Sequence, residues 1–332
     1  MRRKKRRLLV KTLSFLTSAA FVTALAQPLA AETWDMPMAY PDNNFHTEAG
    51  KGFAECVAEG TGGGLELVVH ANGSLFSGSD IKRAVQTGQA PIGERLLSAH
   101  QNESAIFGVD SVPFLATGYD ASVKLWEVAK PTLETVLDEQ NLVLLYSVPW
   151  PPQGIYAKKE VASAADMEGV KFRSYNNATA RMAELMGAVP VQIEAAELSQ
   201  ALATGVAESF ISSGSTGYDE KVWEHLTHWY AADAWLPRNY IFVNKDSWSG
   251  LDEATQGTLR DCAAKAEEAG TAKSMELAEW YKEQLTENGM SVQPPGEQLA
   301  ADLLGIGETM TGEWLESAGD DGKAIVDQFK AD

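Results

Sequence analysis

Residues with the chemistry of catalysis are sparse in this chain. Its five histidines stand at 46, 70, 100, 225 and 228, and none belongs to a His-Glu-x-x-His zinc signature. His225 and His228 share one helical face, but Trp223 and Trp229 surround them and no third ligand is near in sequence. Ser212-Ser213-Gly214-Ser215 lacks the Gly-x-Ser-x-Gly elbow of a serine nucleophile. The glycines at 62 to 64 lead into a strand rather than a helix, the wrong exit for a phosphate cradle. No metal, no cofactor and no enzymatic activity are therefore expected, with a periplasmic hydrolase as the rival class.

Positive charge is also scarce, and what there is clusters at the start. Arg2 to Arg7 form a basic head, Leu13 to Leu25 a mostly apolar run, and Leu29-Ala30-Ala31 offers small residues for cleavage. Residues 1–31 thus read as an export signal. Arg6-Arg7-Leu8-Leu9 also resembles a twin-arginine signal for folded export, with unfolded export as the alternative. Taking the seven basic leader residues from the chain's 27 leaves 20 basic against 46 acidic side chains, a formal charge of −26. So acidic a surface argues against nucleic acid and anionic membranes as partners. No later segment is apolar enough to span a bilayer, so a soluble periplasmic protein, monomeric, is expected. The two cysteines, Cys56 and Cys262, are a candidate disulfide in that oxidising compartment. Both fall in helical patterns, and sequence alone does not bring them within bonding distance.

About 300 mature residues exceed one ordinary core and suggest two lobes. Strands and helices alternate throughout, which is an α/β pattern. Thr33 to Ala39 reads as a strand, Phe45 to Glu59 as a helix, Leu65 to His70 as a strand, and Asp80 to Thr87 as a helix. A short strand is expected at Ala90 to Gly93, a long helix with an internal Pro131 at Tyr119 to Glu139, and a strand at Leu142 to Ser147. Later come strands near Val191, Val206 to Ser212 and Tyr240 to Val243, a helix at Ala196 to Thr204, and two acidic helices meeting at Leu277. No flexible linker separates the lobes, so strands that cross between them would make the hinge.

The most informative stretch is Asp166-Met-Glu-Gly-Val-Lys-Phe-Arg173-Ser-Tyr-Asn-Asn177. A short strand ends in Arg173, and an asparagine follows, with Asn177 read as the helix cap and Asn176 as a candidate ligand contact. An arginine there offers a two-pronged hydrogen bond to a carboxylate, and a helix start adds amide donors. Ligands of open α/β sheets sit beyond the carboxyl ends of strands. The element therefore reads as a receptor for a small organic anion. The global negative field opposes such a ligand, but screening over about 8–10 Å lets a local cation prevail.

With these pieces in order, the chain resembles the extracytoplasmic solute-binding proteins of TRAP transporters, the tripartite ATP-independent periplasmic systems. The likeness runs from Gly52-Phe53-Ala54-Glu55, Gly78-Ser79-Asp80 and Ala84-Val85-Gln86-Thr87-Gly88 through Phe107-Gly108-Val109-Asp110-Ser111-Val112-Pro113-Phe114 and the Arg173 stretch. It continues to Gly187-Ala188-Val189-Pro190, Ala201-Leu202-Ala203-Thr204-Gly205 and Val243-Asn244-Lys245. The resemblance implies two α/β lobes joined by crossing strands and a long connecting helix. Residues 32–150 with 239–278 would form lobe I, and 151–238 with 279–320 lobe II. It also implies ligand capture in the cleft and delivery to a membrane permease.

In that family the arginine matching Arg173 pairs with the ligand carboxylate. Where many dicarboxylate and sialic-acid members carry a second arginine, this chain has Gln153; the usual asparagine is Ser212 and a usual aromatic is Ala195. One cation favours a monocarboxylate, since a second buried carboxylate would stand uncompensated. Trp150, flanked by Pro149 and Pro151, offers a rigid apolar plate, with Tyr40 and Trp235 expected in loops facing the same cleft. An aromatic or apolar acid, such as a benzoate-like, phenyl, indole or branched 2-oxo acid, would suit these walls. Glu94 and Arg95 are also expected at the pocket, and Arg95 as a second cation would restore a dicarboxylate reading. A binding protein for an ABC transporter or a chemoreceptor is the other alternative.

Overall fold

The computed structural model describes residues 31–331, so the export-signal reading of residues 1–31 falls, but for Ala31, outside the described residues. The chain begins with β1 (Glu32–Pro37), α1 (Phe45–Gly60), β2 (Leu65–His70), α2 (Gly78–Gln86), β3 (Ile92–Leu96), α3 (Tyr119–Glu139) and β4 (Leu142–Pro149). Next come β5 (Gly154–Ala157), β6 (Lys171–Ser174), α4 (Asn177–Leu185), β7 (Val189–Gln192), α5 (Leu198–Ala203), β8 (Ser209–Ser212), α6 (Gly214–Asp219) and β9 (His228–Tyr230). The last elements are β10 (Arg238–Asn244), α7 (Lys245–Gly250), α8 (Glu253–Glu287), β11 (Ser291–Gln293) and α9 (Glu297–Ala331).

The strands make three sheets: β1-β2, β3-β10-β4, and the six-stranded β11-β9-β5-β8-β6-β7. In the third, β6 lies parallel to both β7 and β8, so their carboxyl ends point the same way. The chain passes from the β10 sheet to the six-stranded sheet at residues 150–153 and returns at 231–237. These two crossings are tied to each other. Trp150 N–H donates to Pro237 O at 2.7 Å, Gln153 N–H to Trp235 O at 3.1 Å, and Ala234 N–H to Gln153 O at 3.1 Å. Pairing satisfies the buried backbone of both connections and makes them a single two-chain strap.

Two long helices brace the strap. The sequence pattern predicts separate helices meeting at Leu277, but α8 runs unbroken over 35 residues, about 50 Å at 1.5 Å per residue. No proline interrupts it, and Leu277 packs on the core instead of ending a helix. Its glycine at 270 lets α8 approach β4, since a Cβ there would meet Val148 Cγ2 at 2.7 Å. Helix α9, absent from the sequence-level element list, packs Leu299, Leu303 and Met310 beside the six-stranded sheet and Trp314, Ile325 and Val326 beside α3. It turns at Gly319, whose φ of 59° is open to glycine at little cost.

The remaining differences concern ends. Strand β3 continues past Gly93 to Leu96 because Glu94, Arg95 and Leu96 pair with Ile241, Tyr240 and Asn239 of β10. Tertiary pairing overrides the local charge signal there. The short β5, β9 and β11 and helix α6 carry too few residues for a period to show. Pro131 sits within α3 without ending it.

Cys56 of α1 and Cys262 of α8 are joined, with sulfurs 2.05 Å apart across 206 residues of sequence. Closing so long a loop restricts the unfolded chain. Replacing both cysteines by serine should cost about 2–4 kcal/mol in urea unfolding, and reducing the native protein should cost a like amount. Coincident unfolding midpoints for oxidised, reduced and doubly substituted protein would refute a stabilising bond.

Candidate functional site

Carboxyl ends of β6, β7 and β8 converge on one cavity where the two sheets face each other. Arg173 comes from β6, Glu194 and Ala195 follow β7, and Ser212 ends β8. Across from them stand Arg95 and Leu96 of β3 and Tyr40 from the loop after β1, while Trp150, Gln153 and Pro237 of the strap form the floor. Tyr175 and Thr216 complete the wall. The cavity holds about 440 Å³ not filled by protein atoms, counted out through its mouth.

Arg173 is buried, at 3% exposure. Its Nε donates to Ile193 O at 2.9 Å and its guanidinium lies over the Tyr175 ring, 5.0 Å from the centroid. Both contacts orient the group. Among the described residues its two terminal nitrogens make no hydrogen bond to protein, and no carboxylate pairs with it. Burial pulls its pKa down, opposed by Tyr175 and Glu194. An arginine so fixed presents an open fork toward the cavity.

Arg95 has the opposite status. Its Nη1 and Nη2 each meet an oxygen of Glu194 at 3.0 Å, a bidentate pair spanning the cavity between β3 and the segment after β7. Two further polar contacts cross between the same halves: Asn176 Nδ2 to Ser98 Oγ at 2.9 Å, and Asn44 Nδ2 to Asp219 Oδ2 at 2.7 Å. The halves are therefore closed on one another.

Four expectations change in detail. The cap of α4 is Asn176, not Asn177: its side chain accepts from Thr179 N–H and Thr179 Oγ1 bonds back to Asn176 N–H. Asn176 is consumed by this box and by Ser98, and it does not line the cavity. Residues of α4 likewise do not line it, so the helix start does not add donors there. Trp235 is buried behind the wall, where its Nε1 donates to Tyr175 Oη at 3.2 Å, and Tyr175 in turn donates to Gln153 Oε1. It steadies Tyr175 and Gln153 instead of facing the cleft.

Glu94 also turns away, because adjacent strand residues point to opposite faces. Its Oε1 accepts from Asn239 Nδ2 at 2.9 Å, and Asn239 Oδ1 accepts from Trp150 Nε1 at 2.9 Å. The carboxyl thus fixes the tryptophan plate through one intermediary. His46, tilted against Trp150 with centroids 4.2 Å apart, places Nδ1 3.6 Å from Glu94. Burial, opposed by the Asn239 hydrogen bond and Arg95, pushes the Glu94 pKa up to about 8, while burial and Arg238 hold His46 well below its usual range. The two therefore meet as neutral groups.

Sequence reasoning missed Glu194, Tyr175, Thr216 and Asn239. Tyr175 lies two residues after Arg173 and so shares its strand face, a signal that was available. Glu194, one of 46 acidic residues, carries no local mark.

Residues 37–303 match the family model of bacterial extracellular solute-binding protein, family 7. The chain is similar to a marine-metagenome TRAP solute-binding protein specific for pyroglutamate and crystallised with it. Identity is 57% over 91% of this chain and 99% of that one, with a TM-score of 0.90. It is also similar to two Bordetella pertussis extracytoplasmic solute receptors binding pyroglutamic acid. DctP6 is 47% identical over 90% of this chain and 100% of that one, TM-score 0.89. DctP7 is 41% identical over the same shares, TM-score 0.89. The ligand of all three is a monocarboxylate.

Glu94 yields a pH test. The unfolded carboxyl ionises near its ordinary 4.5, whereas the folded one keeps its proton to about 8. Its contribution is complete below about 4.5 and lost as pH rises through about 8. Glu94→Gln should therefore gain stability relative to wild type between pH 5 and pH 8 in urea midpoints. A constant difference across that range would show that burial does not hold the proton.

Proposed function

This chain belongs to family 7 of the bacterial extracellular solute-binding proteins and is a TRAP solute-binding protein with the two-lobed α/β fold, and we propose that its ligand is pyroglutamate or a closely similar cyclic monocarboxylate. The observation that carries this reading is the free fork of Arg173 in a cavity whose other arginine is already paired. A carboxylate docked end-on against Nη1 and Nη2 would complete the guanidinium's hydrogen bonds. Trp150 and Ala195 line the same cavity and would flank a five-membered ring, and Gln153, Ser212 and Thr216 would offer partners to a lactam edge. The relatives that bind pyroglutamate support this choice.

The lobes are assigned as residues 32–150 with 239–278 and 151–238 with 279–320, hinged at the hydrogen-bonded strap. Opening would separate the contacts that cross the cleft; closure around an acid would exclude water and strengthen its pairing with Arg173. The closed form would then be read by membrane permease subunits on the periplasmic side. Capture and delivery, not conversion, is the proposed role.

Calorimetric titration of the mature protein with L-pyroglutamate is the direct test. Arg173→Ala should weaken binding at least about 30-fold, equivalent to about 2 kcal/mol or more for an unpaired buried carboxylate. An Arg173→Ala protein that binds within threefold of wild type would remove the anchor from the scheme.

A further inference from the structure

We infer that Glu194 is the residue that restricts this site to one carboxylate, by occupying the Arg95 guanidinium that would otherwise receive a second. The inference rests on the proposed anchoring of a carboxylate at Arg173. Arg173 and Arg95 line the same cavity, so the binding site contains two cations. Only one of them is open.

The Arg95–Glu194 pair is built into the fold. Both terminal nitrogens of Arg95 meet Glu194 oxygens at 3.0 Å, which occupies the end-on edge of the fork that a ligand carboxylate would use. The Nε of Arg95 is buried and has no partner among the described residues, so Glu194 supplies all its hydrogen-bonded compensation there. Gly78, the first residue of α2, makes the pairing possible. A Cβ at that position would lie 2.5 Å from Glu194 Oε2 and 2.7 Å from Arg95 Nη1. Three residues far apart in sequence thus converge to seat one ion pair at the cavity wall.

The consequence is a charge count. With Glu194 ionised, the cavity offers a net single positive charge, which one ligand carboxylate neutralises. A second ligand carboxylate would approach the Glu194 carboxylate and compete with it for Arg95, leaving one buried anion uncompensated. Glu194 acts as an internal stand-in for the carboxylate that dicarboxylates carry. Rejection here comes from a repulsive group rather than a missing attractive one.

Glu194→Gln removes the charge and keeps the shape. Titrating wild type and Glu194→Gln with L-pyroglutamate, succinate and glutarate tests the inference, with Glu194→Ala as a second variant and unliganded melting as the check on folding. Glu194→Gln or Glu194→Ala should bind succinate or glutarate at least tenfold more tightly than wild type does. The Arg95→Gln/Glu194→Gln double variant should lose that gain. Failure of both single variants to reach a tenfold gain would overturn the inference, as would a gain that persists without Arg95. Failure of wild type to bind pyroglutamate would instead refute the proposed ligand, so the two outcomes remain distinct.

Discussion

A guanidinium taken out of water must be answered by hydrogen bonds or by charge, and three among the described residues are almost fully buried. Arg238 is answered from within: Nε donates to Ser147 Oγ at 2.7 Å, Nη1 to Ser122 Oγ at 3.2 Å, and Asp110 lies beside it. Arg95 is answered across the cleft by Glu194. Arg173 is answered only in part, by Ile193 O and the face of Tyr175. The unfinished compensation at Arg173 is what, on the proposed function, a ligand carboxylate would supply.

That arrangement depends on how the halves are joined. The two crossings bond to each other at Trp150–Pro237 and at Gln153 with Trp235 and Ala234, so the cavity floor and the proposed hinge are the same residues. A change in the angle between sheets therefore changes the distance between Arg95 and Glu194 directly. Helix α8, tied to α1 through Cys56–Cys262, continues past β4 to pack Tyr281 on Gly214 of α6. Helix α9 makes a second brace. On the proposed lobe division, these rods would leave bending at the strap as the available motion, as when a few connecting residues absorb the backbone change.

The acidic surface is compatible with an anion ligand for the same reason. Field from distant carboxylates is screened within about 8–10 Å, whereas the buried guanidinium acts at contact distance in a medium that screens little. Glu194, the carboxylate that lines the cavity, is itself held by Arg95, so it shapes the pocket without presenting a free charge.

Much of this was legible in the chain's order of residues. The alternation of periods identified an α/β fold, the Lys-Phe-Arg strand placed Arg173 at a carboxyl end, and Trp150 among prolines marked a rigid wall. Those readings rest on local rules, which operate within a few residues. What the sequence could not hold is who faces whom. Arg95 and Glu194 are 99 residues apart, and neither residue's neighbours reveal the pair. Glu94 reads like Arg95 until a strand pairing with β10 turns alternate side chains to opposite faces. Trp235 and Asn176 were close in sequence to the site yet point to Tyr175 and Ser98. Local propensity located most of the elements and placed Arg173 at a strand end; only the packing of two sheets across a shared strap decided which charges remain unanswered, because compensation is a property of distance in space.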